Sequence, residues 1–149
     1  MGLFNRKPRA KYDIIKTKEN YCFSKELMEE LSGKEDVSEL MAIVERKDIS
    51  LDEVKTSEKP FFVLFDRPSN KGNLGSIIRS CDALGVDGLI MTGHGVDLYD
   101  PEVIAASMGS FFSLPVVRVE ELKELQAWIG TMKERYEDFV GYQCVGKRR

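Results

Sequence analysis

One segment constrains the fold of this chain more than any other: an uninterrupted apolar run over residues 61–65, FFVLF. Five strand-favouring side chains in a row with no polar member predict a parallel strand that is buried on both faces. Turn-forming residues fill positions 66–73, and apolar residues at helical spacing follow from Leu74 to the stop signal Gly85. Because residues 86–91 supply a second strand pattern, the segment predicts a strand–helix–strand unit with a right-handed crossover.

The same alternation continues toward the end of the chain. Asp100 is a helix-capping residue followed by Pro101, and this pair predicts the start of a short helix. Residues 114–119 predict a third strand, residues 120–136 an amphipathic helix, and residues 139–140 the start of a fourth strand. The alternation indicates a doubly wound α/β fold, with a mostly parallel sheet flanked by helices.

The first 59 residues predict a basic arm and a small helical N-terminal extension. Residues 1–18 carry six Lys and Arg side chains against one acidic residue, a balance of +5. Ser24 is a predicted N-cap for a short amphipathic helix that ends at Gly33, and residues 36–44 carry the pattern of a second short helix. The sequence therefore predicts a domain boundary between residues 59 and 60.

Composition excludes several classes of protein. The 149-residue chain has a net charge of −3, so it lacks the overall basic surface that is typical of nucleic-acid-binding proteins. No apolar run reaches the roughly 18 residues of a membrane helix, and the first residues, MGLFNRK, offer no secretory signal. We therefore expect a cytoplasmic protein without a membrane partner.

Metal-binding spacing is also missing from the sequence. The cysteines Cys22, Cys81 and Cys144 are odd in number and form no CxxC motif, so we expect free thiols. The single histidine, His94, lies between two glycines in a predicted flexible loop and has no second His or Cys nearby. The sequence therefore predicts no metal site.

Two predicted loops are candidates for a binding site, because ligands gather beyond the carboxyl ends of parallel strands. These loops are residues 66–73 and residues 92–100. The first places Asn70, Lys71 and Asn73 directly before a helix, whose free N–H groups favour a phosphate or ribose. Neither a dinucleotide-binding nor a P-loop glycine pattern is present, so those two functions lack their motifs.

Arg79 is the most informative charged residue of the following helix. It shares a polar stripe with Ser76 and Ser80, opposite the apolar face of the helix. The residue pattern leaves its role open between a solvated charge, an ion pair with Asp82 or Asp66, and a ligand contact.

Two stretches of the chain carry a family resemblance. Residues 65–86, FDRPSNKGNLGSIIRSCDALGV, resemble the first signature of the SpoU (TrmH-like) RNA 2′-O-ribose methyltransferases. Residues 100–116 resemble the mid-domain Ser-x-Gly segment of that family. The resemblance covers about residues 60–140. It implies that residues 60–149 are the N-terminal portion of a SpoU-type domain with the α/β fold of the SPOUT superfamily.

The resemblance also implies an activity: a homodimer that transfers a methyl group from S-adenosylmethionine to a ribose 2′-hydroxyl of tRNA or rRNA. It places Arg79 at the target ribose and gives Asn73 a supporting role. Because free arginine is a poor base with a pKa above about 12, we expect Arg79 to stabilise the developing alkoxide. We expect RNA contacts from four residues that surround these two: Arg67, Asn70, Lys71 and Ser76.

The chain departs from this family at its C-terminal end. Complete members continue with a Gly-x-Glu-x-x-Gly strand–loop and an Ile-Pro…Ser-Leu-Asn segment, which build a trefoil knot and most of the cofactor pocket. Neither segment is found before residue 149, so we expect a truncated knot region and assign no cofactor-binding residue. The alternative function is a catalytically inactive RNA-binding or dimerisation module, since missing strands leave apolar surface uncovered.

Overall fold

A computed structural model describes residues 18–33, 40–46 and 48–141 of the chain. The chain divides into two compact units, residues 1–46 and residues 47–149. Within these described ranges, no helix has the length and apolar character needed to cross a bilayer.

The first unit contains helix α1 (Lys25–Ser32), as the sequence predicts. The Ser24 side chain caps it by accepting a hydrogen bond from Leu27 N at 3.3 Å, and Gly33 ends it with φ 57°. Of the second predicted helix, residues 40–44 are not helical, and residues 36–39 lie outside the described residues. Most of the basic arm, residues 1–17, also lies outside them.

The second unit is built on a parallel sheet of three strands, β1 (Phe62–Asp66), β2 (Gly88–Thr92) and β3 (Val116–Val119). Their order is β1-β2-β3, and both neighbouring pairs are parallel. The helices that follow the strands are α2 (Lys71–Ala83), α3 (Pro101–Ala106) and α4 (Leu122–Arg135). The predicted α/β fold with a parallel sheet flanked by helices is confirmed.

Apolar cores cover both faces of this sheet. Leu89 and Met91 of β2 pack with residues of α2 and α3, whereas Ile90 packs on the opposite face with Trp128 of α4. Alternate side chains of a strand point to opposite faces, so the central strand contributes to both cores. Every residue of β2 is accordingly buried.

The apolar run at residues 61–65 forms a strand, but the prediction that it is buried on both faces is wrong. Within the described residues β1 is an edge strand, and Leu64 is 51% exposed. The fully buried strand is β2, because it has a neighbour on each side.

Two other predicted boundaries differ from the structure. Residues 136–141 form no strand, and Phe139 instead packs edge-on against Trp128 with 6.4 Å between ring centroids. The units divide after residue 46, whereas the sequence predicts a boundary after residue 59. The reason is that Leu51 and Val54 are buried in the core beneath α4.

Candidate functional site

The loops that follow β1 and β2 lie at the carboxyl edge of the sheet, where ligands of open α/β folds gather. We call these loops, residues 67–70 and residues 93–100, the rim. The first loop is shorter than the sequence predicts, because α2 begins at Lys71. Asn73 therefore belongs to the first turn of a helix rather than to a loop.

Backbone hydrogen bonds join the two loops of the rim. Arg67 N donates to Thr92 O at 2.9 Å, and Val96 N donates to Pro68 O at 2.8 Å. Pro68 is buried although it lies in a loop. The rim is therefore one connected surface rather than two independent loops.

Two glycines allow this close approach. A Cβ atom on Gly95 would lie 2.7 Å from the carbonyl oxygen of Pro68, and one on Gly93 would lie 2.7 Å from Cγ of Arg67. Gly93 also has φ +66°, which disfavours other residues. The segment that the sequence predicts as a flexible loop is thus packed against its neighbour, and His94 between these glycines is exposed.

Arg67 belongs to a small hydrogen-bonded network that is centred on the Asp66 carboxylate. Its Nε and Nη2 atoms donate to Oδ2 of Asp66 at 2.9 and 2.8 Å, while Thr92 Oγ1 donates to Oδ1 at 2.9 Å. The Arg67 guanidinium, followed by the Thr92 hydroxyl, lowers the pKa of the Asp66 carboxyl. The Arg67 side chain is 72% exposed, so its remaining N–H groups face solvent, where a phosphate can accept them.

Asn70 starts helix α2. Its side-chain oxygen accepts a hydrogen bond from Asn73 N at 2.8 Å, which is the geometry of an N-cap. The sequence analysis predicts an RNA contact from Asn70, but its side-chain oxygen is engaged in capping the helix. The Asn73 side chain is exposed on the first turn of the helix.

Lys71 joins the starts of α2 and α3. Its Nζ lies 2.9 Å from Oδ2 of Asp100, the N-cap of α3, and 3.8 Å from Oε2 of Glu102. Asp100 raises the pKa of Lys71, and Lys71 in turn is the main cause that lowers the pKa of Asp100. The predicted RNA-contacting amine is therefore held in an ion pair within the protein.

Arg79 lies on the exposed side of α2, as do Ser76 and Asn73. Neither ion pair that the sequence left open is formed: in the described part of the chain Arg79 has no carboxylate partner, and Asp66 pairs with Arg67 instead. Arg79 follows Asn73 by six positions in α2, a rise of about 9 Å along the helix axis. The Arg79 guanidinium is therefore available to a ligand that extends along α2.

Sequence reasoning missed one residue that contacts the rim, Arg118 of β3. Its Nη2 donates to Val96 O at 2.7 Å and its Nη1 to Gly93 O at 3.5 Å. The signal was a single charged residue within an otherwise apolar strand, VVRV.

Two observations bear on metal and cofactor binding by residues 18–33, 40–46 and 48–141. No group of three His, Cys, Asp or Glu side chains there has metal-binding geometry. Every buried side-chain nitrogen and oxygen in these ranges has a hydrogen-bond partner, so no orphaned group marks a cofactor cradle. Ser107, for example, is fully buried and donates to Ile104 O at 2.7 Å.

Comparisons with known proteins agree with this architecture. Residues 60–137 match the model of the SpoU rRNA Methylase family. The chain is 46% identical over 112 residues to the 23S rRNA (uridine(2479)-2′-O)-methyltransferase of Streptomyces viridochromogenes, covering 74% of this chain and 39% of that protein. It is 36% identical over 67 residues to the Bacillus subtilis 23S rRNA (guanosine(2553)-2′-O)-methyltransferase RlmP, covering 41% of this chain and 27% of that protein.

Solved structures show the same fold. The SpoU methyltransferase AviRb from Streptomyces viridochromogenes superposes with a TM-score of 0.58 at 47% identity, covering 61% of this chain and 35% of that chain. AviRb has also been solved in complex with the cofactor AdoMet. An rRNA methyltransferase from Sinorhizobium meliloti superposes with a TM-score of 0.64 at 28% identity, covering 70% of this chain and 40% of that chain.

The chain spans less than half the length of these relatives. The matched region includes all three strands and the rim, and it extends through α4. The family match over more than half of the chain and the common fold lead to one conclusion: the chain belongs to the SpoU rRNA methylase family.

Proposed function

We propose that this chain functions in the 2′-O-methylation of ribose in RNA, with S-adenosylmethionine as the methyl donor. Its family and its similarity to two 23S rRNA 2′-O-methyltransferases support this function and favour rRNA over tRNA. The observation that carries the proposal is the Arg79 guanidinium, which is exposed on α2 and has no ion-pair partner in the described residues.

Arg79 would act on the ribose by electrostatics. A ribose hydroxyl is a poor nucleophile at neutral pH, and a fixed guanidinium stabilises the negative charge that develops on its oxygen. Because arginine stays protonated, the proton leaves to a nearby phosphate or to water rather than to Arg79. Asn73, in the first turn of the same helix, would help to orient the nucleotide through its exposed amide.

The RNA-binding residues divide into two groups. Arg67 and Ser76 are exposed, and we assign them to direct contacts with the phosphate and sugar. Asn70 and Lys71 are occupied by the cap of α2 and by the Asp100 ion pair, so their role is to hold the rim and the start of α2 in place. No residue is assigned to the cofactor, because no buried side-chain polar atom among the described residues is left unpaired to mark its site.

The cytoplasmic location and the homodimer belong to the same proposal. Within the described residues β1 is an edge strand, and Leu64 and the preceding Phe61 are 51% and 48% exposed, which favours association of the sheet with another chain. Sedimentation equilibrium of the chain tests the homodimer, and a monomer at all concentrations contradicts it.

Methyl transfer tests the catalytic function directly. The chain is incubated with tritiated S-adenosylmethionine and unmodified 23S rRNA transcribed in vitro, and tRNA transcripts are compared in parallel. Incorporation into alkali-resistant dinucleotides reports 2′-O-methylation, because alkaline cleavage needs a free 2′-hydroxyl. We expect Arg79→Ala to reduce the rate by at least about 100-fold, the effect of losing one stabilising donor.

Arg135→Ala is the matched control, since it removes the same charge from an exposed position on α4. Equal activity of Arg79→Ala and Arg135→Ala would contradict the role of Arg79. RNA binding without methyl transfer by the unsubstituted chain would support the alternative of an inactive RNA-binding module.

A further inference from the structure

We propose that Arg118 is a positioning residue that fixes the RNA-facing rim by holding the backbone of the loop after β2. This inference rests on the proposed function, because it assigns the rim to RNA. Arg118 is itself outside both rim loops, at the carboxyl end of β3.

Strand alternation explains where the Arg118 side chain lies. Its neighbours Val117 and Val119 are buried on the α4 face of the sheet, so Arg118 points to the opposite face. It is in register with Met91 of β2, whose side chain packs with α2 and α3. The Arg118 side chain therefore reaches the loop that follows β2 without crossing the sheet.

Val96 connects Arg118 to the other half of the rim. Its carbonyl oxygen accepts the 2.7 Å hydrogen bond from Arg118 Nη2, while its N–H donates to Pro68 O at 2.8 Å. Both backbone groups of Val96 are thus hydrogen-bonded, the carbonyl to Arg118 of β3 and the N–H to Pro68 in the loop after β1. Removing the Arg118 side chain takes away the donor to Val96 O, and it weakens the hydrogen bond from Val96 N to Pro68 O because the loop is held less firmly.

The loop that Arg118 holds also contacts Arg67, the exposed arginine that we assign to a phosphate contact. Arg67 has φ 47°, a conformation that is uncommon outside glycine, and its side chain lies against Gly93. The carbonyl of Gly93 is the second group that Arg118 approaches, at 3.5 Å. Movement of this loop therefore alters the surface on which the Arg67 guanidinium rests.

Lysine and methionine variants separate positioning from charge. Arg118→Met removes every donor at similar length, whereas Arg118→Lys keeps one donor for Val96 O. Hydrogen exchange of the Val96 amide measures the connection without RNA, and the Ile90 amide in the central strand is the internal reference. We expect Val96 exchange to rise at least about tenfold in Arg118→Met and to stay within about threefold of the original in Arg118→Lys.

RNA affinity gives the functional readout, measured by filter binding to unmodified 23S rRNA at several salt concentrations. We expect Arg118→Met to weaken binding about three- to tenfold more than the control Arg135→Met, which removes the same charge from α4. If Arg118 itself bound a phosphate, its replacement would reduce the slope of log affinity against log salt concentration by nearly one. We expect the slope to match that of the control instead.

Three outcomes would overturn the inference. Val96 exchange could be unchanged in Arg118→Met, Arg118→Met could bind RNA as tightly as Arg135→Met, or its salt slope of RNA binding could be smaller than that of Arg135→Met by about one. If Arg118→Met also raises Ile90 exchange through global unfolding, Arg118→Lys decides. Val96 exchange that rises as much in Arg118→Lys as in Arg118→Met contradicts a role of the hydrogen bond from residue 118 to Val96 O. If the unsubstituted chain does not bind RNA, the proposed function fails, and Val96 exchange alone decides whether Arg118 holds the loop.

Discussion

Asn70, which the sequence analysis assigns to RNA, has a structural function as the N-cap of α2. Its side chain satisfies one of the free N–H groups at the start of α2, and losing a cap of this kind costs about 1 kcal/mol. We predict that Asn70→Ala lowers the free energy of unfolding by about that amount in urea, whereas Asn70→Asp retains the cap. Equal destabilisation by the two variants would show that the cap contributes nothing.

The ion pair between Lys71 and Asp100 makes a pH-dependent contribution. Because Lys71 lowers the pKa of Asp100 in the folded protein, the pair stabilises the fold above the unfolded-state pKa of about 3.9. This stability is lost as the pH falls through the lower pKa of the folded state. We predict that Lys71→Met raises the Asp100 pKa toward its usual value, measured by carboxyl ¹³C NMR.

Lys133→Met removes the same charge from the last turn of α4 and should leave the Asp100 titration unchanged. The difference in unfolding free energy between the original chain and Lys71→Met should be smaller at pH 2 than at pH 6. An Asp100 titration that is identical in the original chain and Lys71→Met would contradict the assigned cause of its lowered pKa.

The sequence predicts where a residue lies in the fold better than it predicts that residue's hydrogen-bond or ion-pair partner. The turn formers around Asn70 predict the start of a helix, and the cap confirms that position. The partner of Lys71 is Asp100, 29 residues later, and only the packing of α3 against α2 brings them together. Arg118 was missed for the same reason, since its acceptors lie in the loop that follows a different strand.

At the scale of elements, Gly75 determines how closely α2 and α3 pack. A Cβ atom there would lie 2.5 Å from Cβ of Ala106 and 2.7 Å from the carbonyl oxygen of Val103. We predict that Gly75→Ala lowers the free energy of unfolding by about 1–3 kcal/mol, as overpacking does elsewhere. Thermal and urea unfolding followed by circular dichroism measure the change.

Gly130 in α4 provides the matched control. No atom lies within 4 Å of a Cβ added there, so Gly130→Ala should raise stability by about 0.5–1 kcal/mol through helix propensity. Similar effects of the two substitutions would show that the contact between α2 and α3 tolerates a methyl group.

Local patterns predict the elements but not the neighbours of each strand. Residues 61–65 have the composition of a central strand, yet β1 lies at an edge of the described sheet, because strand order depends on pairing between distant segments. Residues 139–140 are apolar, but the packing of Phe139 against Trp128 depends on where α4 lies. Short apolar runs do not distinguish these outcomes.

At the scale of the whole molecule, charge is unevenly distributed along the chain. Residues 61–118 carry four basic and six acidic side chains, so the segment that contains the rim is slightly acidic. Most RNA affinity comes from phosphate contacts, which require basic groups. The proposed function therefore needs basic residues from elsewhere, and residues 1–18 with their balance of +5 are the strongest source in the sequence.

We predict that replacing Arg6, Lys7 and Arg9 with glutamine weakens binding to unmodified 23S rRNA by about tenfold or more at low salt. The salt dependence of binding should also fall by about two ions if all three residues contact phosphates, since each contact contributes roughly 0.7–0.9. Replacing the three basic residues of α4 changes the net charge equally and is the control. Because both variants lower the net charge by three, they lose the net-charge contribution to long-range attraction equally. If the arm contacts phosphates directly, the variant of Arg6, Lys7 and Arg9 binds RNA more weakly than the α4 variant. Equal salt dependence of binding in the two variants would show that the arm makes no such contacts.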